Sequence, residues 1–151
     1  MSLADWAENG WLHEHKSSPK DIADLLALIE RDIRAAQMPG QDTDWKLGMA
    51  YSAIFQCASA AMAAMGYRAA KGPRQHYYTI QSLRFTLEPP AKDISTYDAL
   101  RQIRNVADYE RAGTVSEKDA TEALALAKEL REKLVAWLKL EHPALLPAGI
   151  K

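Results

Sequence analysis

The sequence predicts an all-α fold, an up-and-down antiparallel four- to five-helix bundle. Three observations support this prediction: apolar residues recur at three- and four-residue spacing, strand signals are nearly absent, and Pro, Gly and Ser divide the chain into helix-length segments. With 151 residues, 48% of them hydrophobic, the chain is long enough to bury a core of its own. We therefore expect a single helical domain joined by short links.

That domain is predicted to span residues 1–151, with residues 1–16 as an N-terminal extension and residues 143–151 as a loose tail. In the extension, a short helix is expected to end at Gly10, because glycine readily adopts the backbone conformation that terminates a helix. The residues that follow are a connection, which is expected to lay Trp11 on the body of the domain.

The first long helix is predicted to begin at Ser17 and Ser18, which are followed by Pro19. A hydroxyl caps the unpaired backbone N–H groups of the first turn, and proline has no N–H to leave unpaired there. Pro39 and Gly40 end the helix. Its apolar stripe repeats at helical spacing: Ile22, Leu25, Leu26, Ile29, Ile33 and Ala36.

The second helix is predicted to start after Asp42 or Asp44, to run to about Met65 and to end at Gly66. It is apolar nearly all round, which is typical of a helix buried on every side. Residues 47–66 carry no charge, but they are rich in alanine, which gains little from lipid. The sequence therefore favours the central helix of a bundle over a membrane span.

Proline and serine mark the remaining helices. Pro73 opens the third, Ser95 or Thr96 caps the fourth, and Ser116 caps the last. Gly113 is expected to end the fourth helix. The third presents Tyr77, Ile80, Leu83, Arg84 and Leu87 on one side, and the last has a buried stripe of Ala120, Leu124, Ala127, Leu130, Leu134, Trp137 and Leu138.

Composition restricts the function classes. The net charge is −1, so affinity for nucleic acid would have to come from a local patch. Cys57 is the single cysteine, which excludes an internal disulfide and favours a reducing compartment. His13 and His15 do not share a helical face, so we predict no metal site. We also predict no cofactor, no membrane contact and, because the chain has a single cysteine, a cytoplasmic location.

The fourth helix carries a polar arc beside its apolar side, formed by Arg101, Arg104, Asn105 and Asp108, with Tyr109 near the far side. A guanidinium matches the geometry of phosphate, and a carboxylate four residues later can hold it in place. The alternative is an ordinary surface ion pair of little energetic value, beside a tyrosine that packs on a neighbour.

A second cluster alternates basic and aromatic residues at the start of the third helix. Such a combination of phosphate affinity and stacking is typical of single-stranded RNA binding. The alternative is a solvated link whose tyrosines cover the core, with His76 in a packing role. The cluster comprises Arg68, Lys71, Arg74, His76, Tyr77 and Tyr78, of which we single out Arg74 and His76.

The polar arc resembles a motif of the HEPN superfamily (higher eukaryotes and prokaryotes nucleotide-binding). The resemblance rests on Arg104, Asn105, Ala107, Asp108 and Tyr109, in a late helix of an all-α chain. It implies a small helical domain that dimerises around this helix, with a minimal nucleotidyltransferase as partner in a pair of the toxin–antitoxin kind. Active HEPN members are metal-independent ribonucleases with a histidine four to six residues after the arginine.

In this chain Tyr109 stands where the histidine is expected, and the Arg-Asn-x-Ala-Asp-Tyr pattern resembles the branch without that histidine. A phenol titrates near pH ~10 and is a poor general base at neutral pH. We therefore predict a nucleotide- or RNA-binding module, or a nucleotidyltransferase partner, that is not an efficient nuclease. The alternatives are a weak metal-independent ribonuclease that uses Arg104 with Tyr109 or His76, and a purely structural dimer.

Overall fold

The computed structural model describes residues 1–109 and 115–146, apart from the side chains of residues 105–109. The all-α bundle that the sequence predicts is confirmed over these residues, with one small two-stranded ribbon added. The elements are α1 (Leu3–Glu8), β1 (Leu12–Glu14), α2 (Pro19–Gln37), α3 (Thr43–Ala64), β2 (Tyr67–Ala69), α4 (Gln75–Gln81), a 3-10 turn (Ser82–Phe85), α5 (Ala91–Tyr109) and α6 (Glu117–Glu141).

Helix α3 is the centre of the bundle and packs against α2, α4, α5 and α6. Its small side chains allow neighbouring helices to approach closely, and five of its alanines are completely buried: Ala50, Ala53, Ala58, Ala60 and Ala61. The helix is long and apolar enough to cross a membrane, but 67% of its most apolar window is buried inside the fold. The bundle core therefore accounts for its apolar character.

Two predicted helix starts are confirmed by their capping hydrogen bonds. At the start of α2, Ser18 Oγ accepts from the Asp21 N–H at 3.1 Å, and the Asp21 carboxylate accepts from the Ser18 N–H at 2.9 Å. This reciprocal pair is a capping box. At the start of α6, Ser116 Oγ accepts from the Asp119 N–H at 3.0 Å.

The start of α5 differs from the prediction. The helix begins at Ala91, directly after Pro90, and therefore includes Ser95 and Thr96 in its second turn. The Thr96 hydroxyl donates to the carbonyl of Lys92 at 2.9 Å instead of accepting from a backbone N–H. A threonine hydroxyl can make either bond, so the residue type alone did not identify the first turn.

The predicted third helix is divided into α4 and the 3-10 turn. Two side chains in this segment bond backward to the preceding turn: the Thr79 hydroxyl donates to the Gln75 carbonyl at 2.8 Å, and the Ser82 hydroxyl donates to the Thr79 carbonyl at 2.6 Å. Bonds of this kind bend helices, and helix ends commonly tighten into 3-10 geometry.

The β ribbon joins the N-terminal residues to the bundle. β1 and β2 pair antiparallel, with Leu12 opposite Ala69 and Glu14 opposite Tyr67. Gly66 reverses the chain between α3 and β2 at a φ of 92°, and its carbonyl accepts from the His15 N–H at 2.8 Å. Strands of three residues are too short to show alternation, which is why the sequence did not predict them.

Candidate functional site

Helix α5 places two arginines against the aromatic side chains of α3 and α4. The Arg104 Cζ atom lies 5.6 Å from the centre of the Tyr51 ring, within cation–π range. The Arg101 Cζ atom lies 6.0 Å from the centre of the Tyr77 ring. Both arginines are half-buried, so their charges face a partly desolvated seam between helices.

Asp98 orients Arg101 from one turn earlier on the same helix. The Arg101 Nε atom donates to Asp98 Oδ1 at 2.9 Å, and Gln102 Nε2 donates to Asp98 Oδ2 at 3.0 Å. The side chains of Arg101 and Asp98 are only 21% and 18% exposed, so water screens this pair less than a surface pair. The Asp98 contact therefore fixes the Nε side of the Arg101 guanidinium.

His76 of α4 lies in the same seam, between two aromatic residues of α3. Its Nδ1 atom is 3.1 Å from the Tyr51 hydroxyl, in a hydrogen bond. The Phe55 ring stacks on the imidazole, with centres 4.1 Å apart and planes 18° apart. Tyr51 is 1% exposed, so the contact that fixes His76 belongs to the core.

The surroundings of His76 and Tyr51 keep both side chains uncharged. Burial lowers the pKa of His76 below its ordinary value, and the positive charges of Arg104 and Arg101 lower it further. Burial also raises the pKa of Tyr51, against the opposing effect of the two arginines. A neutral phenol and a neutral imidazole therefore stand beside the two arginines at neutral pH.

The structure brings some of the predicted site residues together and separates others. Arg101, Arg104 and His76 share the α3–α4–α5 seam. Arg74 lies next to it at the start of α4, with its Cζ atom 4.5 Å from the centre of the Tyr77 ring. Two other basic residues of the cluster at the start of the third helix, Arg68 and Lys71, line a different cavity of about 210 Å³.

Three of the predicted site residues on α5 cannot be placed at the level of side chains. Asn105, Asp108 and Tyr109 belong to the final turns of α5, but their side chains lie outside the described residues. Their backbone continues the helix that carries Arg101 and Arg104. The expected pairing of Arg104 with Asp108 therefore stays a prediction.

Three residues of the seam were not predicted from the sequence: Tyr51, Phe55 and Asp98. Tyr51 and Phe55 are four residues apart, so they share one face of a helix otherwise built mainly from small residues. Asp98 precedes Arg101 by three residues, a spacing at which helical side chains meet. Both signals were present in the sequence, but their position opposite His76 depends on how the helices pack.

The arrangement is suited to an anion that carries a flat ring. Two guanidiniums provide planar hydrogen-bond donors for phosphate, and aromatic rings beside them provide surfaces for a base. Within residues 1–109 and 115–146, apart from the undescribed side chains, no three His, Cys, Asp or Glu residues lie close enough to hold a metal ion. The chemistry that these side chains offer is therefore charge neutralisation, stacking and proton exchange at an imidazole.

Comparison with known proteins identifies one family. The model of the HEPN domain family matches residues 30–137, which is well over half of the chain and includes Tyr51, His76 and both α5 arginines. No curated protein and no solved structure matches the chain. The family match supports a nucleotide- or RNA-related module in general. On the extent of that match, this chain belongs to the HEPN domain family.

Proposed function

We propose that this protein binds a nucleotide or RNA through the α3–α4–α5 seam. One observation carries the proposal: Arg104 stands over Tyr51, and the Tyr51 hydroxyl is hydrogen-bonded to His76. The arginine of the family-like motif is thereby placed beside an imidazole and aromatic rings from two other helices. The binding residues of the proposal are Arg101, Arg104, Asn105, Asp108 and Tyr109 of α5, together with Arg74 and His76.

The charges of the seam support an anionic ligand. The whole chain has a net charge of −1, so affinity for an anion at the seam depends on the guanidinium groups of Arg101 and Arg104, with His76 neutral beside them. Asp98 compensates part of that charge, but its contact with Arg101 also holds the guanidinium in one orientation. A pre-oriented guanidinium loses less side-chain freedom when it binds phosphate.

The proposal has a quaternary and a cellular part. The chain acts as a homodimer with the two α5 helices near the two-fold axis, and its partner is a minimal nucleotidyltransferase in a toxin–antitoxin-like pair in the cytoplasm. It forms one domain over residues 1–151, and its motif is the Arg-Asn-x-Ala-Asp-Tyr variant. Because Tyr109 replaces the expected histidine on α5, the protein is not an efficient nuclease.

RNA binding by an Arg104→Ala variant tests the proposal. Anisotropy of a labelled RNA oligonucleotide, measured in EDTA, is compared between the wild type, Arg104→Ala and Arg34→Ala. Arg34 is an exposed arginine in the last turn of α2 and serves as the matched control. Hydrogen bonds to charged groups contribute about 1.5–3 kcal/mol, so Arg104→Ala is expected to weaken binding roughly tenfold or more.

The thermal melting curve separates a binding role from a structural one. Arg104→Ala is expected to melt close to the wild type, because its guanidinium lies on a seam and not in the apolar core. A variant that loses binding and melts far below the wild type would show that Arg104 is structural. Equal RNA affinity of Arg104→Ala and Arg34→Ala would also contradict the proposal.

A second candidate function is metal-independent RNA cleavage, and the position of His76 favours it. The structure supplies an imidazole next to Arg104 from α4, although α5 carries none at the expected place. A neutral imidazole can accept a proton at neutral pH, while Arg104 neutralises charge on the phosphate. Incubation of RNA with the protein in EDTA tests this activity. Cleavage that His76→Gln abolishes without loss of RNA binding supports it, and intact RNA rejects it.

A further inference from the structure

An aromatic pocket lies beside the seam, on the side where the N-terminal residues pack. We call it the tryptophan pocket, with a cavity of about 480 Å³. Aromatic rings and two arginines dominate its lining: Trp6, Trp11, Tyr78, Phe85, Arg74 and Arg84. It belongs to the part of the fold that the β ribbon ties to the bundle, and Trp6 lies outside the span that matches the HEPN family.

The rings of the tryptophan pocket hold each other in fixed orientations. The Trp11 and Tyr78 rings stack, with centres 4.9 Å apart and planes 12° apart. Trp6 is 5% exposed and meets Phe85 edge to face, with centres 5.1 Å apart. Trp11 and Tyr78 are half-exposed, so the pocket offers a rigid aromatic surface that remains accessible from outside.

Two exposed arginines give the tryptophan pocket its charge. The Arg74 Cζ atom lies 5.4 Å from the centre of the Tyr78 ring, and the Arg84 Cζ atom lies 5.9 Å from that of Trp6. Gln81 accepts hydrogen bonds from Arg84 through both its carbonyl and its side chain, which fixes the direction of that guanidinium. Among the described residues that line the pocket, none is acidic. The occupant that these side chains favour is aromatic and anionic.

The tryptophan pocket is continuous with the seam through alternating guanidiniums and rings. Tyr77 lies between Arg101 and Arg74, with its ring centre 6.0 Å from the first Cζ atom and 4.5 Å from the second. Arg74 in turn reaches Tyr78, on which Trp11 stacks. Guanidinium groups and aromatic rings are thus in contact with each other from the seam to the pocket.

We propose that the tryptophan pocket is a base-binding subsite for single-stranded RNA whose backbone runs along Arg101 and Arg74. The inference rests on the proposed function of the seam and specifies its ligand as an oligonucleotide instead of a mononucleotide. Unpaired bases stack on aromatic side chains while basic residues follow the phosphates, which is the combination present here. A duplex keeps its bases stacked inside and does not offer one to the pocket.

Tryptophan fluorescence reports directly on the pocket. The chain has four tryptophans, and Trp45 and Trp137 lie away from the pocket. Replacing these two by phenylalanine leaves Trp6 and Trp11 as the emitting residues. A single-stranded oligouridylate of about six nucleotides is expected to quench this emission and to bind at least tenfold more tightly than UMP, since stacking adds to affinity with each base. A duplex of equal length is expected to leave the emission unchanged.

A variant of Arg84 separates this inference from the proposed function, because Arg84 lines the pocket and is not among the binding residues of the seam. Arg84→Ala should lower oligouridylate affinity about tenfold and leave UMP affinity unchanged, because its exposed side chain serves the pocket alone. Wild-type affinity for the oligonucleotide in Arg84→Ala, with binding still lost in Arg104→Ala, would overturn the pocket and leave the proposed function standing. Absence of binding for both ligands in the wild type would overturn both.

Discussion

The protonation state of His76 changes the charge of the candidate site. Its imidazole is held by the Tyr51 hydroxyl and the Phe55 ring, and burial together with the two α5 arginines lowers its pKa. A protonated imidazole would add a third positive charge to the seam. Because the cations already present resist that charge, the folded protein binds a proton at His76 less readily than the unfolded chain does.

The lowered pKa of His76 makes the stability of the fold sensitive to acid. The folded pKa of His76 lies below its unfolded value of about 6.5, so the associated stability is fully present above that pH and decreases as the pH falls through it. Urea unfolding at about pH 7.5 and pH 5.5 should show a larger loss of unfolding free energy in the wild type than in His76→Gln. Equal losses in the two proteins would contradict the assigned surroundings of His76.

The sequence predicts the two arginines of α5 but not the contact between Tyr51 and His76 beside them. Arg101 and Arg104 were recognised because a single helix carries them at spacings that place them on one face. The hydrogen bond between Tyr51 and His76 joins residues 25 positions apart on different helices. Such a contact depends on the crossing of α3 and α4 and on the turn between them, which no local pattern specifies.

Helix α3 contains one glycine in its interior and one directly beyond its end, and the two should respond oppositely to alanine. Gly48 is helical, and a Cβ atom there meets nothing within 4 Å. Gly66 has a φ of 92°, and a Cβ atom there also meets nothing within 4 Å. Differences in backbone conformation, and not steric clashes, therefore decide both outcomes.

We predict that Gly48→Ala stabilises the protein by about 1 kcal/mol, because alanine is the better helix former. Gly66→Ala should destabilise it by about 1–2 kcal/mol, because residues with a Cβ atom disfavour the left-handed region. Chemical denaturation of the two variants measures both effects. A change of the same sign in both would show that α3 does not end at Gly66 in the manner described.

Helix starts could be predicted where a serine directly precedes an amphipathic segment and caps its first turn. Ser18 and Ser116 cap their helices as expected, since each precedes an amphipathic segment and binds the N–H three residues later. The prediction that Thr96 caps α5 was wrong, because its hydroxyl donates to a carbonyl inside the helix. The β ribbon was not predicted, because pairing between Leu12 and Ala69 depends on the relative position of segments that are distant in the sequence.

The whole molecule is a bundle around α3, and the proposed dimer requires α5 to lie on its outside. Ile94, Tyr97 and Leu100 of α5 are buried, whereas Ala99 is exposed. An exposed small residue on this helix allows a second copy to approach closely. The proposed two-fold contact therefore has a face available on which it can form.

Sedimentation at micromolar concentration tests the dimer. We predict a dimer for the wild type and a shift to monomer for Ala99→Glu, since a two-fold contact brings each substitution near its own copy and opposes two like charges. Gln37→Glu introduces the same charge at an exposed position on α2 and should leave the dimer intact. A monomeric wild type would remove the quaternary part of the proposal.

The salt dependence of RNA binding tests the central claim, that Arg104 meets a phosphate, most directly. The logarithm of the affinity is plotted against the logarithm of salt concentration for the wild type, Arg104→Ala and Arg34→Ala. Each phosphate contact to a single strand contributes a slope of about −0.7, so Arg104→Ala should give a slope shallower by about that amount while Arg34→Ala retains the wild-type slope. An unchanged slope in Arg104→Ala would contradict the account.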